Sequence, residues 1–163
     1  MTIDTSGKWW VGSEPNDLAE YLAAFTADGY LATEFRIARC ACGSTVFSLA
    51  IDSDEGAASR TCIECGQTHF VCDSAEYWDD ASPKKWKCIG KCKSKTANVC
   101  VGFALREDHN DVRWIYVGTR CSECGILGCY GDWKVDYSPS LQLMDAVSRI
   151  SQMTSLALAC DLR

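Results

Sequence analysis

Cys62-Ile63-Glu64-Cys65-Gly66 returns 59 residues later as Cys121-Ser122-Glu123-Cys124-Gly125, and a knuckle that is repeated implies a site that is repeated. An arginine stands nearby upstream of each copy, Arg60 and Arg120. Each copy also has an earlier cysteine pair: Cys40 and Cys42 before the first, Cys88 and Cys92 before the second. The spacing is thus C-x-C, nineteen residues, C-x-x-C, and then C-x3-C, twenty-eight residues, C-x-x-C. Thiolates are soft ligands, and a knuckle places two of them on one side of an ion. Four per repeat describe two tetrahedral four-thiolate metal sites. Zinc suits them because borderline-soft Zn²⁺ imposes no geometry of its own.

Halves of about fifty residues are too small to be stabilised by a hydrophobic core alone, so each is expected to need a staple. Twelve cysteines could supply disulfides or metal sites, and compartment decides between them. The first residues, Met1 to Lys8, lack the basic start, apolar run and small-residue cleavage site of a secretory signal. No stretch approaches the roughly 18 consecutive apolar residues of a membrane span. The expectation is a cytoplasmic, reducing setting with no membrane partner, in which paired knuckles hold metal. The formal charge is −6, with every cysteine counted as a neutral thiol. Four thiolates around one Zn²⁺ sum to −2, so two filled sites take the chain to −6 − 4 = −10. Such a chain is repelled by a phosphate backbone unless basic residues gather on one face.

Along the chain, the fold class expected is α+β, small and metal-stabilised. Two tandem β modules are flanked by an N-terminal and a C-terminal helix. Residues 1–32 form the N-terminal helical segment. Trp9-Trp10 closes a core edge, Ser13 or Asn16 caps, and Pro15 opens a helix over about 15–27. Its apolar stripe is Leu18, Tyr21, Leu22 and Phe25, and Gly29 stops it. Residues 33–85 form module 1 with an acidic linker. Its strands lead into Cys40 and follow Cys42, residues 52–59 make a polar turn, and residues 73–85 are linker. Residues 86–137 form module 2, where Val99–Leu105 and Val112–Val117 read as strands joined by a turn over Arg106–Asp111. An offset of 59 also carries Asp73 onto Asp132. Residues 138–163 form a C-terminal helix opened by Ser138-Pro139-Ser140. Its stripe is Leu141, Met144, Ala146 or Val147, Ile150 and Met153.

The residues Cys40, Cys42, Gly43, Cys62, Cys65, Gly66, Cys88, Cys92, Cys121, Cys124 and Gly125 resemble the zinc-ribbon and rubredoxin-like superfamily over about 100 residues. The resemblance implies a fold more than an activity. Two departures stand out: the first pair is C-x-C, and the Cys88–Cys92 pair is followed by Lys93 where the other three are followed by glycine. Rubredoxins hold iron in the same geometry, so the cofactor expected is two zinc ions, with iron second. Rubredoxin-type knuckles usually carry a proline, and none stands here.

A site with four protein ligands leaves no position for water and stabilises structure without activating a nucleophile. No catalytic residue is assigned, and an enzyme is the less favoured class. The function expected is a zinc-binding, non-catalytic interaction or adaptor module for another protein, with a small acidic inhibitor of a basic partner as one specific form. The rival is a nucleic-acid-associated ribbon using Lys84, Lys85, Trp86, Lys87, Lys91, Lys93 and Lys95, where cations interleave with an aromatic. The same lysines also serve to offset thiolate charge. A rubredoxin-like electron carrier is the third reading. Cys72, Cys129 and His69 are possible spare ligands but read better as core, as does Cys100, while Cys160 has no pattern.

Overall fold

The computed structural model describes residues 3–148. Ten short strands and a single α-helix account for most of the regular structure among them, so the molecule is mixed but strand-dominated. The strands are β1 (Ile3–Asp4), β2 (Val11–Gly12), β3 (Glu34–Ile37), β4 (Phe47–Asp52), β5 (Ala57–Cys62), β6 (Thr68–Phe70), β7 (Lys84–Lys85), β8 (Ala97–Leu105), β9 (Val112–Cys121) and β10 (Leu127–Lys134). β1 and β2 pair with each other, and the other eight strands form one sheet in the order β10-β9-β8-β4-β5-β6, with β3 on β8 and β7 on β4.

The two cysteine modules each contribute a three-stranded antiparallel meander, β4-β5-β6 and β8-β9-β10. The meanders join at one residue pair, Phe47 opposite Ala97. Both members of that pair also lie opposite a knuckle cysteine: Phe47 faces Cys62 and Ala97 faces Cys121. β3, from the first module, pairs over its whole length with β8 of the second. Residues 33–85 and 86–137 therefore share a sheet. At the far side the sheet curls until the β4–β5 turn meets β10, where Asp132 N–H donates to Ser53 Oγ and Ser53 Oγ donates to Asp132 O.

β8, and β9 over residues 115–119, are buried on both faces, which explains why these strands read as largely apolar. Val99, Val101 and Phe103 of β8 and Ile115, Val117 and Cys121 of β9 point into the main core with Phe47, Leu49, Val71, Trp133 and Val135. The alternate residues Cys100, Ala104 and Tyr116 meet the helix in a second layer. One core thus takes residues from both modules. The expectation that the modules lack a hydrophobic interior is corrected accordingly: each is too small alone, but joined they have one.

Helix α1 (Asp17–Phe25) lies inside the expected 15–27. Neither Ser13 nor Asn16 caps it through its side chain. The Asp17 carboxylate instead accepts the N–H groups of Ser13 and Glu14, at 2.8 and 3.2 Å, serving the start of the helix from inside. The chain leaves the helix at Thr26, before Gly29, with Thr26 Oγ1 donating to Leu22 O and accepting Ala32 N–H. Of the expected stripe, Leu18 and Leu22 are fully buried, whereas Phe25 is 53% exposed. Leu22 sits over Gly102 and Gly118, where a Cβ on Gly118 would lie 3.0–3.2 Å from it, so those glycines are the socket for the helix.

Three further expectations change. The polar turn is shorter than 52–59, because Ala57 to Cys62 is a strand despite its weakly β-forming Ala-Ala-Ser-Arg-Thr. The 73–85 linker is structured: Ser74–Asp80 is a 3-10 helix, and Lys84–Lys85 pair with Ile51 and Ala50. The C-terminal helix is, within the described residues, a 3-10 helix over Leu141–Ala146. Asp111 fixes its start by accepting from Ser138 Oγ and from Ser140 N–H and Oγ, and Val112 N–H donates to Ser140 Oγ. Leu143 and Val147 then reach the core, while Ile150, Met153 and Cys160 lie outside the described residues.

Leu22→Ala should cost about 3 kcal/mol of unfolding free energy, because it opens a cavity over two glycines that cannot fill it. Phe25→Ala, one turn further on, should cost less than about 0.5 kcal/mol. Urea unfolding of both variants checks the pair.

Candidate metal centres

Each knuckle is a short hairpin closed the same way whatever its length. The N–H of the first cysteine donates to the carbonyl two residues beyond the second: Cys40 to Ser44 (2.8 Å), Cys62 to Gln67 (2.9 Å), Cys88 to Ser94 (2.8 Å) and Cys121 to Ile126 (2.9 Å). The one, two or three intervening residues are accommodated within that closure. The residue after the second cysteine is left-handed in all four, at φ 97° for Gly43, 79° for Gly66, 57° for Lys93 and 81° for Gly125. Lys93 therefore adopts at its knuckle the conformation glycine takes at the others, at the cost an L-residue bears there. The first cysteine of each knuckle is buried in the core and the second is exposed, so each centre lies half in the interior and half at the surface.

The knuckles meet in pairs as the spacing predicts. Cys40, Cys42, Cys62 and Cys65 gather their sulfurs within 4.8 Å of one another, and so do Cys88, Cys92, Cys121 and Cys124. The contacts across each quartet are 3.5 Å for Cys40–Cys65 and for Cys42–Cys62, 3.6 Å for Cys88–Cys124 and 3.5 Å for Cys92–Cys121. A disulfide needs about 2.05 Å. A tetrahedron with bonds of about 2.3 Å has edges of about 3.8 Å, so the quartets fit a divalent tetrathiolate ion with little adjustment.

Local electrostatics favour a cation within each quartet. The N–H of Cys65, then that of Glu64 against the effect of burial, hold the Cys62 thiol down at about 6. Burial pushes the Cys121 thiol up, but the N–H groups of Cys124 and Glu123 and the neighbouring sulfurs bring it to about 7. Cys42 and Cys88 go the other way. Cys42 gains an N–H from Ser44, yet the sulfur of Cys62 and burial push it up to about 12. Burial, opposed by the Gly90 N–H and joined by the sulfur of Cys124, takes Cys88 to about 12. One thiolate per quartet is stabilised by the backbone, and four together require a cation.

The centres differ beneath. Arg60, two residues before Cys62, is 1% exposed. Its Nη2 donates to Val147 O at 3.0 Å, while Nε and Nη1 have no partner. Its guanidinium lies 4.6 Å over the Phe47 ring. Burial pushes its pKa down, and the charges of Cys40 and Cys62 push it back up. A buried, under-bonded cation calls for nearby negative charge, and a tetrathiolate centre supplies it. At the matching position before Cys121 stands Thr119, also buried, with its hydroxyl unpartnered. Arg120 is one residue out of phase with Arg60, so it faces the other side of its strand and bonds Gly12 O and Asn98 Oδ1. The two arginines that looked alike in the sequence are therefore not equivalent. Nor are Asp73 and Asp132: Asp73 accepts from Trp133 Nε1 and Tyr137 Oη, and Asp132 from Trp114 Nε1.

The spare cysteines stay out of both quartets. Cys72 donates to Leu143 O, and burial raises its pKa well above the ordinary thiol range. Burial likewise takes Cys100 and Cys129 to about 12. His69 lies across the sheet from Arg60, with its Nε2 buried and unpartnered, and burial followed by the Arg60 charge lowers its pKa. Of the lysine run, Lys84, Lys85 and Lys87 border a cleft of about 440 Å³ that Asp52 and Asp54 also line. Trp86, expected to stack a base, is only 6% exposed and packs edge-on to Tyr130. Lys91 and Lys93 lie on another cleft, beside Trp9, and Lys95 is exposed. The run is thus divided between two sites, because β7 and the Cys88 knuckle carry its parts apart. No protein-family model, curated protein or solved structure matches the chain.

Metal analysis by mass spectrometry should find two equivalents per chain, falling to one in Cys62→Ser and staying at two in Cys100→Ser. Filling a quartet of neutral thiols with Zn²⁺ changes its charge from 0 to −2, a change the Arg60 cation favours. Arg60→Met should therefore weaken the first centre about tenfold in competition with a chelator and leave the second unchanged. Lys93→Gly should raise stability by about 0.5–1 kcal/mol in urea unfolding of the metal-loaded protein.

Proposed function

We propose that the protein is a zinc-stabilised, non-catalytic interaction module of the cytoplasm, built from duplicated four-thiolate ribbons, that docks on another protein. The observation that carries this reading is the completeness of both sulfur quartets: four protein ligands leave no coordination position for a substrate or a reactive water. The metal then holds shape, and the function lies on the surface that the shape presents. Zinc is favoured over iron because none of the four knuckles carries the proline usual in rubredoxin-type knuckles.

The charge of −6 favours a basic partner, and one surface cleft suits it in detail. A cleft of about 270 Å³ is lined by Asp54, Glu55, Asp73 and Asp136 together with Tyr77, Trp133 and Tyr137, and its one cation, Lys134, pairs with Asp136 at 3.7 Å, which leaves three carboxylates in excess. Carboxylates with aromatic walls suit the side chain of a lysine or arginine. Inhibition of a basic enzyme by insertion of such a side chain is the specific form this reading takes. The rival, a nucleic-acid contact, keeps one supporting observation, the grouping of Lys84, Lys85 and Lys87 on one cleft, and there Asp52 and Asp54 oppose it.

Immobilised zinc-loaded protein should retain a protein partner that elutes with salt, and Asp54→Lys with Asp136→Lys should release it. Retention of no protein, together with substrate turnover by the purified chain, would overturn the reading. Salt-steep binding of oligonucleotide, lost on changing Lys84, Lys85 and Lys87 to Glu, would replace it with the nucleic-acid role. A red rather than colourless protein would assign iron.

A further inference from the structure

We infer that the cleft around Trp9 is a second docking site, one that takes a short segment of a partner protein carrying aromatic and acidic side chains. This rests on the interaction-module reading and adds a face to it. Two clefts, of about 260 and 450 Å³, meet at Trp9. The first runs between the N-terminal segment and α1, with Tyr21 and Phe25 along its wall. The second runs between Trp9 and the Cys88–Cys92 knuckle, with Ile89 at its edge. Trp9, Phe25 and Ile89 are 37%, 53% and 48% exposed, an apolar surface that gains by being covered.

Charge selects the occupant. Lys8 borders the first cleft, Lys91 and Lys93 the second, and among the described residues no carboxylate lines either, whereas the clefts at Lys84–Lys87 and at Tyr137 both carry aspartates. Lys8 Nζ stands 5.1 Å over the Trp9 ring. An aromatic side chain on Trp9 with carboxylates on either side satisfies both chemistries. A long polyanion would meet the same lysines, but it would also meet the field of a chain at −6, whereas a short segment feels only charges within about 8 Å.

The walls are built before anything binds. Tyr21 stacks on Phe25 at 5.8 Å and meets Trp10 edge-on at 5.9 Å. Trp10 O accepts Leu127 N–H at 2.8 Å, and Gly12 N–H donates to Gly125 O at 2.9 Å, which ties the N-terminal segment to the last knuckle. Gly90 lies so close to Ile126 that a Cβ would stand 2.5 Å from its Cδ1, so two knuckles of the second centre form the floor. The second metal centre thereby shapes this face, and its loss should dismantle the cleft.

The test is selection of a displayed library of random twelve-residue peptides on immobilised, zinc-loaded full chain, followed by fluorescence anisotropy with the recovered peptides. The expected result is enrichment of sequences with at least one Trp, Phe or Tyr between acidic residues. Binding should weaken at least tenfold in Trp9→Ala and in the double variant Lys8→Glu, Lys91→Glu. Both variants should keep two metal equivalents and the partner held by the acidic cleft. Phe25→Ala, exposed and without cost to the fold, should weaken it as well. Enrichment of basic sequences, or affinity unchanged in these variants, would overturn the inference. So would tighter binding of a twelve-nucleotide oligothymidylate, a dimer dispersed by Trp9→Ala, or peptide binding seen only in a chain ended at Ser148. If no peptide is selected while the basic partner is still retained, the cleft is eliminated and the module reading stands.

Discussion

One constraint underlies the structure: four sulfur atoms brought within 4.8 Å of one another cannot all carry charge without a cation among them. The backbone prepares the arrangement and stops short of completing it. Each knuckle fixes its first cysteine by the same hydrogen bond, from its own N–H to the carbonyl two residues past the second cysteine. N–H groups inside the loop then hold the Cys62 and Cys121 thiols near neutrality. Burial and the neighbouring sulfurs push Cys42 and Cys88 up to about 12, so a cation among the four would be needed to hold them as thiolates.

The quartets are coupled to the rest of the fold through the first cysteine of each knuckle. Cys40, Cys62, Cys88 and Cys121 all sit in the same core cluster with Phe47, Val99 and Val117. The Phe47–Ala97 pair joins the meanders where both are also opposite knuckle cysteines. A metal ion held by either quartet would therefore act on the same residues as apolar burial, adding to the core rather than replacing it. The two quartets also differ in what lies beneath them. Arg60 puts a buried cation beneath the first quartet, and Thr119 stands at its place beneath the second. The second quartet has the exposed Lys91 and Lys93 at its own knuckle instead of a buried arginine, so the two centres sit in different electrostatic surroundings.

The surface follows from how the metal modules pack. The knuckles of the second centre support the N-terminal segment and Trp9, while the β4–β5 turn and residues 133–137 frame an acidic cleft with aromatic walls. A chain acidic in total thus offers faces of opposite local charge. That organisation comes from where short strands end rather than from any sequence motif.

The grouping of eight cysteines into two quartets was legible in the sequence because cysteine chemistry is local. A two-residue spacing, or one shorter or longer, still allows the same hairpin closure, and the C-x3-C knuckle forms even with Lys93 where glycine would be expected. β8 and β9 were legible for the same kind of reason, since a run buried on both faces has no choice but to be apolar. What the chain could not declare was long-range pairing. Nothing in Glu34–Ile37 says that it will join a strand more than sixty residues away, and the weak β5 exists because β4 and β6 flank it. The burial of Trp86, the division of the lysine run and the opposite facing of Arg60 and Arg120 were likewise decided by the sheet. Strand phase and curl set which side of the molecule a residue meets, and neither is a property of the residue itself.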